Sequence, residues 1–374
     1  MLNYHPERIL VDAEVEHSFL TEEICERFAD VPQYVIRNDS DQNLAEAAET
    51  LKTSLTKGKK TLHLKRFKGN ALKNCPGWSR DSICCDYLTL DLIENCPFEC
   101  TYCILQAFLN KPLMTIHVNL EEILADLKNS VLEKPQQLFR IGTGEHSDSL
   151  ALDPFLKINP YLIQFFSKLP NAVLELKTKS DHVDHLLDLP HGGRTVISWS
   201  LNPEKIVKQE EHKTASLSQR LEAAKKASTA GYKLGFHFDP ILHFHGWEQQ
   251  YRDLVEMVFD YVEPKRVAWI SMGTLRCLPG LKPVVEERFP TSRVFLGELY
   301  PANDGKLRYQ KNIRQQMIQS VRRNLDLLAP GVPTYICMDK STVWKNSMSF
   351  KPDSSLELEK MLGAEFCKDI MEPA

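Results

Sequence analysis

The sequence predicts an α/β protein built around a parallel sheet, and three observations support this fold class. Between residue 86 and about residue 271, short apolar segments alternate six times with segments of helical periodicity. Such alternation requires right-handed crossovers and gives either an open parallel sheet or a partial barrel. Polar or glycine residues follow the strand segments, as expected at the edge where such sheets carry reactive groups. The composition, 43% hydrophobic and 26% charged residues in 374, is ordinary for a globular enzyme.

Residues 1–85 are predicted to form a small α/β unit ahead of this sheet. Its elements are two strands and two helices, at Arg8–Val15, Gln33–Arg37, Leu20–Phe28 and Leu44–Leu55. A basic segment follows, with seven Lys or Arg residues between Lys57 and Lys73 and no acidic residue. This segment is interpreted with equal weight as a solvated strand and loop or as a surface that contacts phosphates.

Residues 86–300 are predicted to form the main α/β unit. The predicted strands are Tyr87–Leu92, Leu138–Gly142, Val173–Lys177, Thr195–Leu201, Lys233–Phe238 and Val267–Ser271. A capping box at Asn119–Glu122 is expected to open one helix. The other predicted helices are Pro160–Leu169, Asp181–Leu187, Ser216–Ala230 and Trp247–Val262.

Residues 301–374 depart from this alternation and are predicted to form a C-terminal extension. A helix is expected at Lys311–Leu328 and a strand at Thr334–Met338. Basic residues at the start and along this helix form a second cluster that could lie across the mouth of a barrel. They are Arg308, Lys311, Arg314, Arg322 and Arg323.

The strongest chemical signal is a group of three cysteines, Cys96, Cys100 and Cys103, in the spacing C-x3-C-x2-C. Three thiolates can bind three irons of a [4Fe–4S] cluster and leave the fourth iron open. A structural zinc site favours four ligands, often as two C-x2-C pairs, and no second pair follows here. With Tyr102 before the third cysteine, the motif resembles the signature of radical S-adenosylmethionine (SAM) enzymes.

The remaining composition points to a reducing environment. Ten cysteines, no long apolar run and no signal-peptide core at the start lead us to expect a cytoplasmic protein without membrane contact. Cys75, Cys84 and Cys85 are interpreted as free thiols rather than ligands of a second cluster. Cys277 and Cys337 lie in apolar segments, which favours a role in the core. The net charge of −4 gives no bulk attraction for nucleic acid.

Charged residues at successive strand ends fit the two charged groups of an amino acid. Glu145, in the segment Gly142–Asp148, could accept a hydrogen bond from an ammonium group, and Lys179 could pair with a carboxylate. These are the charged groups of the amino acid part of SAM. A histidine-rich stretch follows the fifth strand and could bind a metal, although contact with substrate or cofactor is the favoured interpretation. It contains His237, Asp239, His243 and His245.

Longer motifs make the chain resemble spore photoproduct lyase and its wider radical SAM family. The resemblance extends from about Arg8 to about Lys311, which is most of the chain. The motifs include the cysteine segment with Leu105-Gln106, Ile116-His-Val-Asn119, Thr178-Lys179, Ser200-Leu-Asn202, Ala230-Gly-Tyr-Lys-Leu-Gly-Phe236, His245-Gly-Trp-Glu248 and Arg308-Tyr309.

The resemblance implies a partial (β/α)6 barrel with one [4Fe–4S] cluster on Cys96, Cys100 and Cys103. SAM would be the ligand of the fourth iron, and Glu145, Ser147, Lys179, Ser200 and Asn202 would bind SAM. Tyr102 and Glu145 are predicted at the catalytic centre, and Asp239, His245, Arg308 and Tyr309 are predicted to bind substrate.

In the family, one electron from the cluster cleaves SAM to a 5′-deoxyadenosyl radical. That radical takes a hydrogen from a cross-linked thymine dimer, which then separates. The implied partners are DNA and a reductant of the flavodoxin or ferredoxin type.

Two positions depart from the family pattern. The lyase has a cysteine, which returns a hydrogen atom to the product radical, where this chain has Glu145. It also has a tyrosine where this chain has Ile104. We therefore expect radical chemistry on a nucleic-acid base by a modified route. The alternative is a small-molecule or peptide substrate.

Overall fold

The computed structural model describes residues 4–38, 40–77, 82–109 and 113–366, without the side chains of residues 48–53. Its largest sheet has eight strands, and seven of them are parallel and follow one another in chain order. Across the sheet, the strands are Leu72–Asn74, Leu88–Leu90, Phe139–Gly142, Ala172–Thr178, Thr195–Ser200, Lys233–Ile241, Val267–Thr274 and Thr334–Ile336. The first is antiparallel to its neighbour.

This curled sheet is the predicted partial barrel, and all six predicted strands are present. Phe139–Gly142, Thr195–Ser200 and Val267–Thr274 are buried along their whole length. Strands of a parallel sheet covered on both faces are buried in this way. The strand Thr334–Ile336 pairs with Val267–Thr274 and extends the parallel sheet to seven strands. A segment predicted as part of the C-terminal extension is therefore a barrel strand.

Helices connect the strands and cover the outside of the barrel. The longest described helices are Leu120–Leu132, Leu217–Thr229, Trp247–Tyr261 and Lys311–Leu328. Shorter helices lie at Phe19–Arg27, Gln42–Thr53, Leu55–Gly58, Leu105–Phe108, Asp153–Leu156, Asn159–Phe166, Glu204–Glu210, Leu281–Arg288, Ser341–Ser347 and Ser355–Gly363.

Two local predictions are wrong. The helix expected at Asp181–Leu187 is only a 3-10 turn at Asp184–Leu186. This segment contains two aspartates, which have low helix propensity. The predicted helix does begin at Leu120 with Asn119 at its N-cap position. Its capping box is absent, because the Asn119 side-chain oxygen accepts a hydrogen bond from the Phe67 amide at 2.8 Å. A capping box is present at the start of another helix, Leu217–Thr229, between Ser216 and Gln219.

A second, five-stranded sheet is formed largely by the N-terminal residues. Its strands, in order, are Gln33–Ile36, Arg8–Asp12, Thr61–Lys65, Met114–His117 and Ile93–Glu94. Strand pairing crosses residue 85 in both directions, because Met114–His117 joins this sheet while Leu72–Asn74 joins the barrel. The division of the chain at residues 85 and 300 remains a prediction.

Within the residues described, no helix has the length and apolar character that crossing a bilayer requires. The nine cysteines in the described residues are all free thiols.

Candidate active site at the mouth of the barrel

The cysteine segment directly follows the strand Ile93–Glu94 of the five-stranded sheet, and local hydrogen bonds fix its backbone. Asn95 precedes it in the left-handed conformation (φ 76°), which Asn tolerates, and its side chain accepts a hydrogen bond from the Cys96 amide at 2.8 Å. Glu99–Cys100 pairs with the short strand Glu211–His212. The helix Leu105–Phe108 starts directly after Cys103. The loop that carries the thiols is therefore anchored on both sides.

The three thiols line one cavity, together with Lys59, Phe98 and Arg288. Burial raises the pKa of Cys96, Cys100 and Cys103. Among the described residues, no three His, Cys, Asp or Glu side chains converge as a single metal ion would require. A [4Fe–4S] cluster places each cysteine on a different iron, so its ligands need not converge on one point. The arrangement fits a cluster better than a zinc ion.

A buried carboxylate, Glu211, holds the cysteine loop against the barrel. It forms an ion pair with Arg220 at 2.6 Å, and neither side chain is exposed. The Tyr102 hydroxyl donates to the same carboxylate, and the Asn202 amide donates to it at 2.9 Å. The Tyr251 hydroxyl completes the network by donating to Asn202 at 2.7 Å. Tyr102 is thereby locked in place beside two of the cysteines.

The electrostatics of this network keep Glu211 ionised. Burial alone raises the pKa of this carboxyl, but the charges of Arg220 and Lys179 and the Tyr102 hydrogen bond outweigh burial and lower it to about 2. Burial raises the pKa of Tyr102 well above its usual value, and the adjacent Glu211 charge adds to this effect. Tyr102 therefore stays a neutral hydrogen-bond donor.

Two further glutamates, Glu99 and Glu210, also hold the cysteine loop in place. Glu99 lies 2.6 Å from the Arg288 guanidinium and 3.3 Å from the Lys59 ammonium. Glu210 accepts hydrogen bonds from the Thr101 hydroxyl at 2.6 Å and from the Ser292 hydroxyl at 2.7 Å. Glu210 therefore holds the cysteine loop from a distant part of the sequence. Glu99 lies within the loop and holds it by pairing with distant cations.

Two adjoining cavities open at the carboxyl ends of the barrel strands. The mouth cavity, of about 240 Å³, reaches the cysteine loop at Tyr102, Cys103 and Ile104. The inner cavity, of about 210 Å³, lies deeper in the barrel against Ser200 and His237. The residues that line both cavities are Glu145, Asp239, Arg276 and Met338.

Of the five predicted SAM residues, Glu145 and Ser200 line these cavities, whereas Ser147, Lys179 and Asn202 line neither. Glu145 lines both cavities and forms an ion pair with Lys177 at 2.7 Å, and Ser200 lines the inner cavity. The Lys179 ammonium lies 5.9 Å from the centre of the Tyr102 ring. Ser147 is buried, and its hydroxyl has no hydrogen-bond partner within the described residues, which leaves it free for a ligand.

The predicted substrate residues lie in different settings. Asp239 lines both cavities and forms a two-pronged ion pair with Arg276, at 2.8 and 2.7 Å. His245 is exposed. Arg308 is buried, paired with Asp304, and donates to the Met338 carbonyl at 2.7 Å. Tyr309 is buried, and its hydroxyl accepts a hydrogen bond from the His243 amide at 3.2 Å. Neither Arg308 nor Tyr309 lines the mouth or inner cavity.

Several residues of the site are not anticipated by the sequence analysis. They are Lys177, Glu210, Glu211, Arg220, Arg276 and Arg288. Lys177 is the last residue of a predicted strand, so its position at the reactive edge of the sheet could have been predicted. Arg220 opens the segment Arg220–Lys225, which is one of those that resemble the lyase family. The other four are single charged residues without a motif to mark them.

The basic segment is largely neutralised by carboxylates. Six of its seven cations lie 2.5–3.8 Å from an acidic side chain, in the pairs Lys59–Glu99, Lys60–Glu7, Lys65–Asp12, Arg66–Glu122, Lys68–Glu14 and Lys73–Asp91. In the second cluster, Arg308, Arg314 and Arg322 pair with Asp304, Asp339 and Asp326. These pairings favour a structural role for both clusters over free phosphate contacts.

Comparison with known proteins identifies the family. The family model described as spore photoproduct lyase matches residues 4–327. The chain belongs to the spore photoproduct lyase family. The spore photoproduct lyase of Bacillus subtilis is 32% identical over 247 residues, which is 63% of this chain and 72% of that protein. The Geobacillus sp. lyase is 32% identical over 212 residues, covering 56% of this chain and 62% of the relative.

Solved structures agree with this assignment. A cysteine-to-alanine mutant of spore photoproduct lyase with dinucleoside spore photoproduct has a TM-score of 0.77 at 25% identity, covering 89% of this chain and 99% of that one. A double mutant with bound S-adenosylmethionine and the same dinucleoside matches equally well, over 90% and 100% of the two chains.

The chain is therefore a radical SAM enzyme of the lyase-like type, with a [4Fe–4S] cluster and SAM as cofactors. Cys96, Cys100 and Cys103 are the residues that would hold three irons of the cluster.

Proposed function

We propose that this enzyme removes a hydrogen atom from a nucleic-acid base in a DNA lesion of the spore photoproduct class. The observation that carries the proposal is the mouth cavity. Its walls combine the cysteine loop, at Tyr102 and Cys103, with charged residues from several barrel strand ends. Relatives with the same fold are described as bound to dinucleoside spore photoproduct.

The bound cofactors would supply one electron and a 5′-deoxyadenosyl radical, and the chain supplies position and surroundings. Glu145 would accept hydrogen bonds from the SAM ammonium group. Its carboxylate already accepts one from another ammonium group, that of Lys177. Lys179 would face the SAM carboxylate, since it lies over Tyr102 beside the cysteine loop. Ser147 would offer its unpartnered hydroxyl to the same ligand.

The substrate would enter beside the Asp239–Arg276 ion pair, which lines both cavities. This pair presents a guanidinium and a carboxylate, which suit the donors and acceptors of a base edge. A lesion in duplex DNA would have to leave the base stack to reach it, at a cost of a few kcal/mol. We also propose a flavodoxin or ferredoxin as the reductant and the cytoplasm as the location.

A small molecule or a peptide is the second candidate substrate. The observation that favours it is the pairing of the basic segment with carboxylates, which leaves few of those cations for phosphates. In that case the charged inner cavity, with Lys177, Glu175 and His237, would bind a polar substrate directly.

The test is an anaerobic reaction of the iron- and sulfide-reconstituted protein with SAM, dithionite and dinucleoside spore photoproduct. We expect 5′-deoxyadenosine formation that depends on the dinucleoside, together with thymidine release. The Cys100→Ala variant should lose both products and the absorbance of the cluster, because one iron loses its ligand. If wild-type protein forms 5′-deoxyadenosine at the same slow rate with and without the dinucleoside, the lesion is not the substrate.

A further inference from the structure

Three thiols outside the cysteine loop line the inner cavity. They are Cys75, Cys85 and Cys337, and they share this cavity with Glu145, Lys177 and Asp239. They come from three separate parts of the chain: the turn after Leu72–Asn74, the segment before Leu88–Leu90, and the end of Thr334–Ile336. Converging thiols in a reaction cavity require a chemical explanation.

The three thiols have different electrostatic surroundings. The hydrogen bond from Cys84 and the charge of the buried Arg140 lower the pKa of Cys85 to about 6. Burial, reinforced by the negative charge of Glu145, raises the pKa of Cys75 to about 12. Cys75 therefore keeps its hydrogen at neutral pH, whereas Cys85 tends to lose its proton.

Cys337 is partly buried, and its sulfur already accepts a hydrogen bond. The Arg276 guanidinium donates to this sulfur at 3.8 Å while it holds Asp239 at 2.7 Å. Cys75 accepts only a hydrogen bond from the Gly77 amide, at 3.4 Å, among the described residues. The next two residues, Pro76 and Gly77, line the mouth cavity, so Cys75 stands where the two cavities adjoin.

Hydrogen abstraction followed by bond cleavage leaves a carbon radical on the product, which needs one hydrogen atom. A thiol is the protein group suited to this step, because its S–H bond is weak. The Glu145 carboxylate and the Ile104 side chain, which line the mouth cavity, cannot perform it.

We propose that Cys75 donates this hydrogen atom to the product radical. The inference rests on the proposed function of the site. The S–H bond of Cys75 breaks, a C–H bond forms on the product, and a thiyl radical remains on the sulfur. One electron from the flavodoxin- or ferredoxin-type reductant and one proton from solvent return the thiyl to a thiol.

The decisive experiment runs the lesion reaction in D2O, where the thiol carries deuterium. Wild-type protein should place one deuterium in the released thymidine. The Cys75→Ala and Cys75→Ser variants should lose this label and release less thymidine for each 5′-deoxyadenosine formed. Serine keeps the size and the Gly77 hydrogen bond, so a structural role would be rescued by serine and a donor role would not.

The control variants are Cys337→Ala, at the other protonated thiol of the cavity, and Cys25→Ala, on the N-terminal helix Phe19–Arg27. Both should keep the deuterium label. The proposal is overturned if Cys75→Ala keeps the label or if Cys337→Ala loses it. Failure of wild-type protein to form 5′-deoxyadenosine in response to the dinucleoside would instead contradict the proposed function.

A second readout needs neither cluster nor turnover. The protein is treated for hours with a large excess of a neutral maleimide at about pH 9, because only the thiolate reacts and little of Cys75 is ionised at neutral pH. The reaction is run to measurable labelling of Cys75 without ligand and repeated with dinucleoside spore photoproduct, and labelled peptides are quantified by mass spectrometry. The dinucleoside should protect Cys75 but leave Cys25 labelling unchanged. Equal labelling of Cys75 in both samples would contradict a position beside the substrate.

Discussion

Among single residues, Glu211 has the largest effect on the position of the cysteine loop. Its carboxylate receives the Arg220 guanidinium, the Tyr102 hydroxyl and the Asn202 amide in a fully buried setting. Buried charges are costly unless they are paired and hydrogen-bonded, and here both conditions hold. Tyr102, predicted at the catalytic centre, contacts this carboxylate and thereby fixes the loop between Cys100 and Cys103.

Replacement of Glu211 by Gln leaves the Arg220 charge buried without its partner. We expect the free energy of unfolding to fall by about 3 kcal/mol and the iron content after reconstitution to fall with it. Urea denaturation and iron analysis measure both effects. The matched control is Glu204→Gln, whose partner Lys208 is a solvent-exposed neighbour one helical turn away; this change should cost less than about 0.5 kcal/mol. Equal effects of the two variants would contradict the role of Glu211 in holding the cysteine loop.

Acid should act through the same carboxyl. The folded-state pKa of Glu211 is about 2, below its ordinary value of 4.5. A lowered pKa means that the contribution to stability is complete above about pH 4.5 and is lost as pH falls towards about 2. Urea titrations across this range should therefore show the stability gap between wild type and Glu211→Gln narrowing. A gap that stays constant down to about pH 2 would exclude this carboxyl as the source.

The helix Leu281–Arg288 stabilises the cysteine loop through the arginine at its end. Arg288 ends the helix and donates to Glu99 at 2.6 Å and to Thr56 at 3.1 Å, and it also donates to Gln106. One guanidinium thus joins the N-terminal unit, the short strand Glu99–Cys100 and the helix after the third cysteine. Arginine can do this because its planar fork carries five donors.

Arg288→Ala should loosen the loop without unfolding the barrel. We expect faster hydrogen exchange of the Thr101 and Cys103 amides, which bond to Glu210 and Cys100. Exchange measured by mass spectrometry on loop peptides is the readout. Lys282→Ala on the same helix is the control and should leave exchange unchanged, because this half-exposed side chain pairs with its neighbour Glu286. Unchanged exchange in Arg288→Ala would show that the strand pairing alone holds the loop.

For the whole molecule, the main apolar core extends from the N-terminal unit through the barrel to the C-terminal helices. Trp344, on the helix Ser341–Ser347, is fully buried in it. The segment around residues 334–347 is therefore part of the same fold, and it contributes Tyr335, Cys337 and Met338 to the inner cavity.

Trp344→Ala should destabilise the entire protein, because it opens a cavity in this common core. The expected loss is about 3–5 kcal/mol in the free energy of unfolding, seen in a single urea transition. Leu327→Ala, at a leucine that is 79% exposed, should change stability by no more than about 0.5 kcal/mol. A separate early transition in Trp344→Ala would mean that the C-terminal helices unfold independently.

The charge distribution of the molecule predicts how it responds to salt in DNA binding. Lys60 and Lys68 pair with Glu7 and Glu14, so the double variant Lys60→Ala/Lys68→Ala should leave the slope of log K against log salt unchanged. If both contacted phosphates, the slope would become shallower by about 2. Lys306, which lines the mouth cavity, is the contrasting site, and Lys306→Ala should weaken binding. Fluorescence anisotropy at several salt concentrations distinguishes these outcomes.

The parts of the fold that the sequence predicts are those with local periodicity. Six of the seven parallel barrel strands follow from apolar segments separated by helices, and Lys311–Leu328 has the predicted bounds. Thr334–Ile336 is recognisable as a strand, but its pairing with Val267–Thr274 depends on packing across about 60 residues, which leaves no local trace.

The candidate site divides in the same way. The cysteine spacing and Glu145 are visible in the chain, because a cluster motif and a strand end are local patterns. The pairing of Tyr102 with Glu211 spans 109 residues and cannot be inferred from one sequence. The same limit applies to the basic segment, whose acidic partners lie in other elements.

The order of the barrel strands has a consequence for biosynthesis. Neighbouring strands follow one another along the chain, so each β–α unit can dock on the preceding one as it leaves the ribosome. Among the described strands of the barrel, Thr334–Ile336 emerges last, and Cys337 and Met338 follow it directly. The inner cavity is therefore completed only after the other barrel strands have emerged. A nascent chain that acquired its cluster early would hold it in an open half-barrel, exposed to oxygen until this strand arrives.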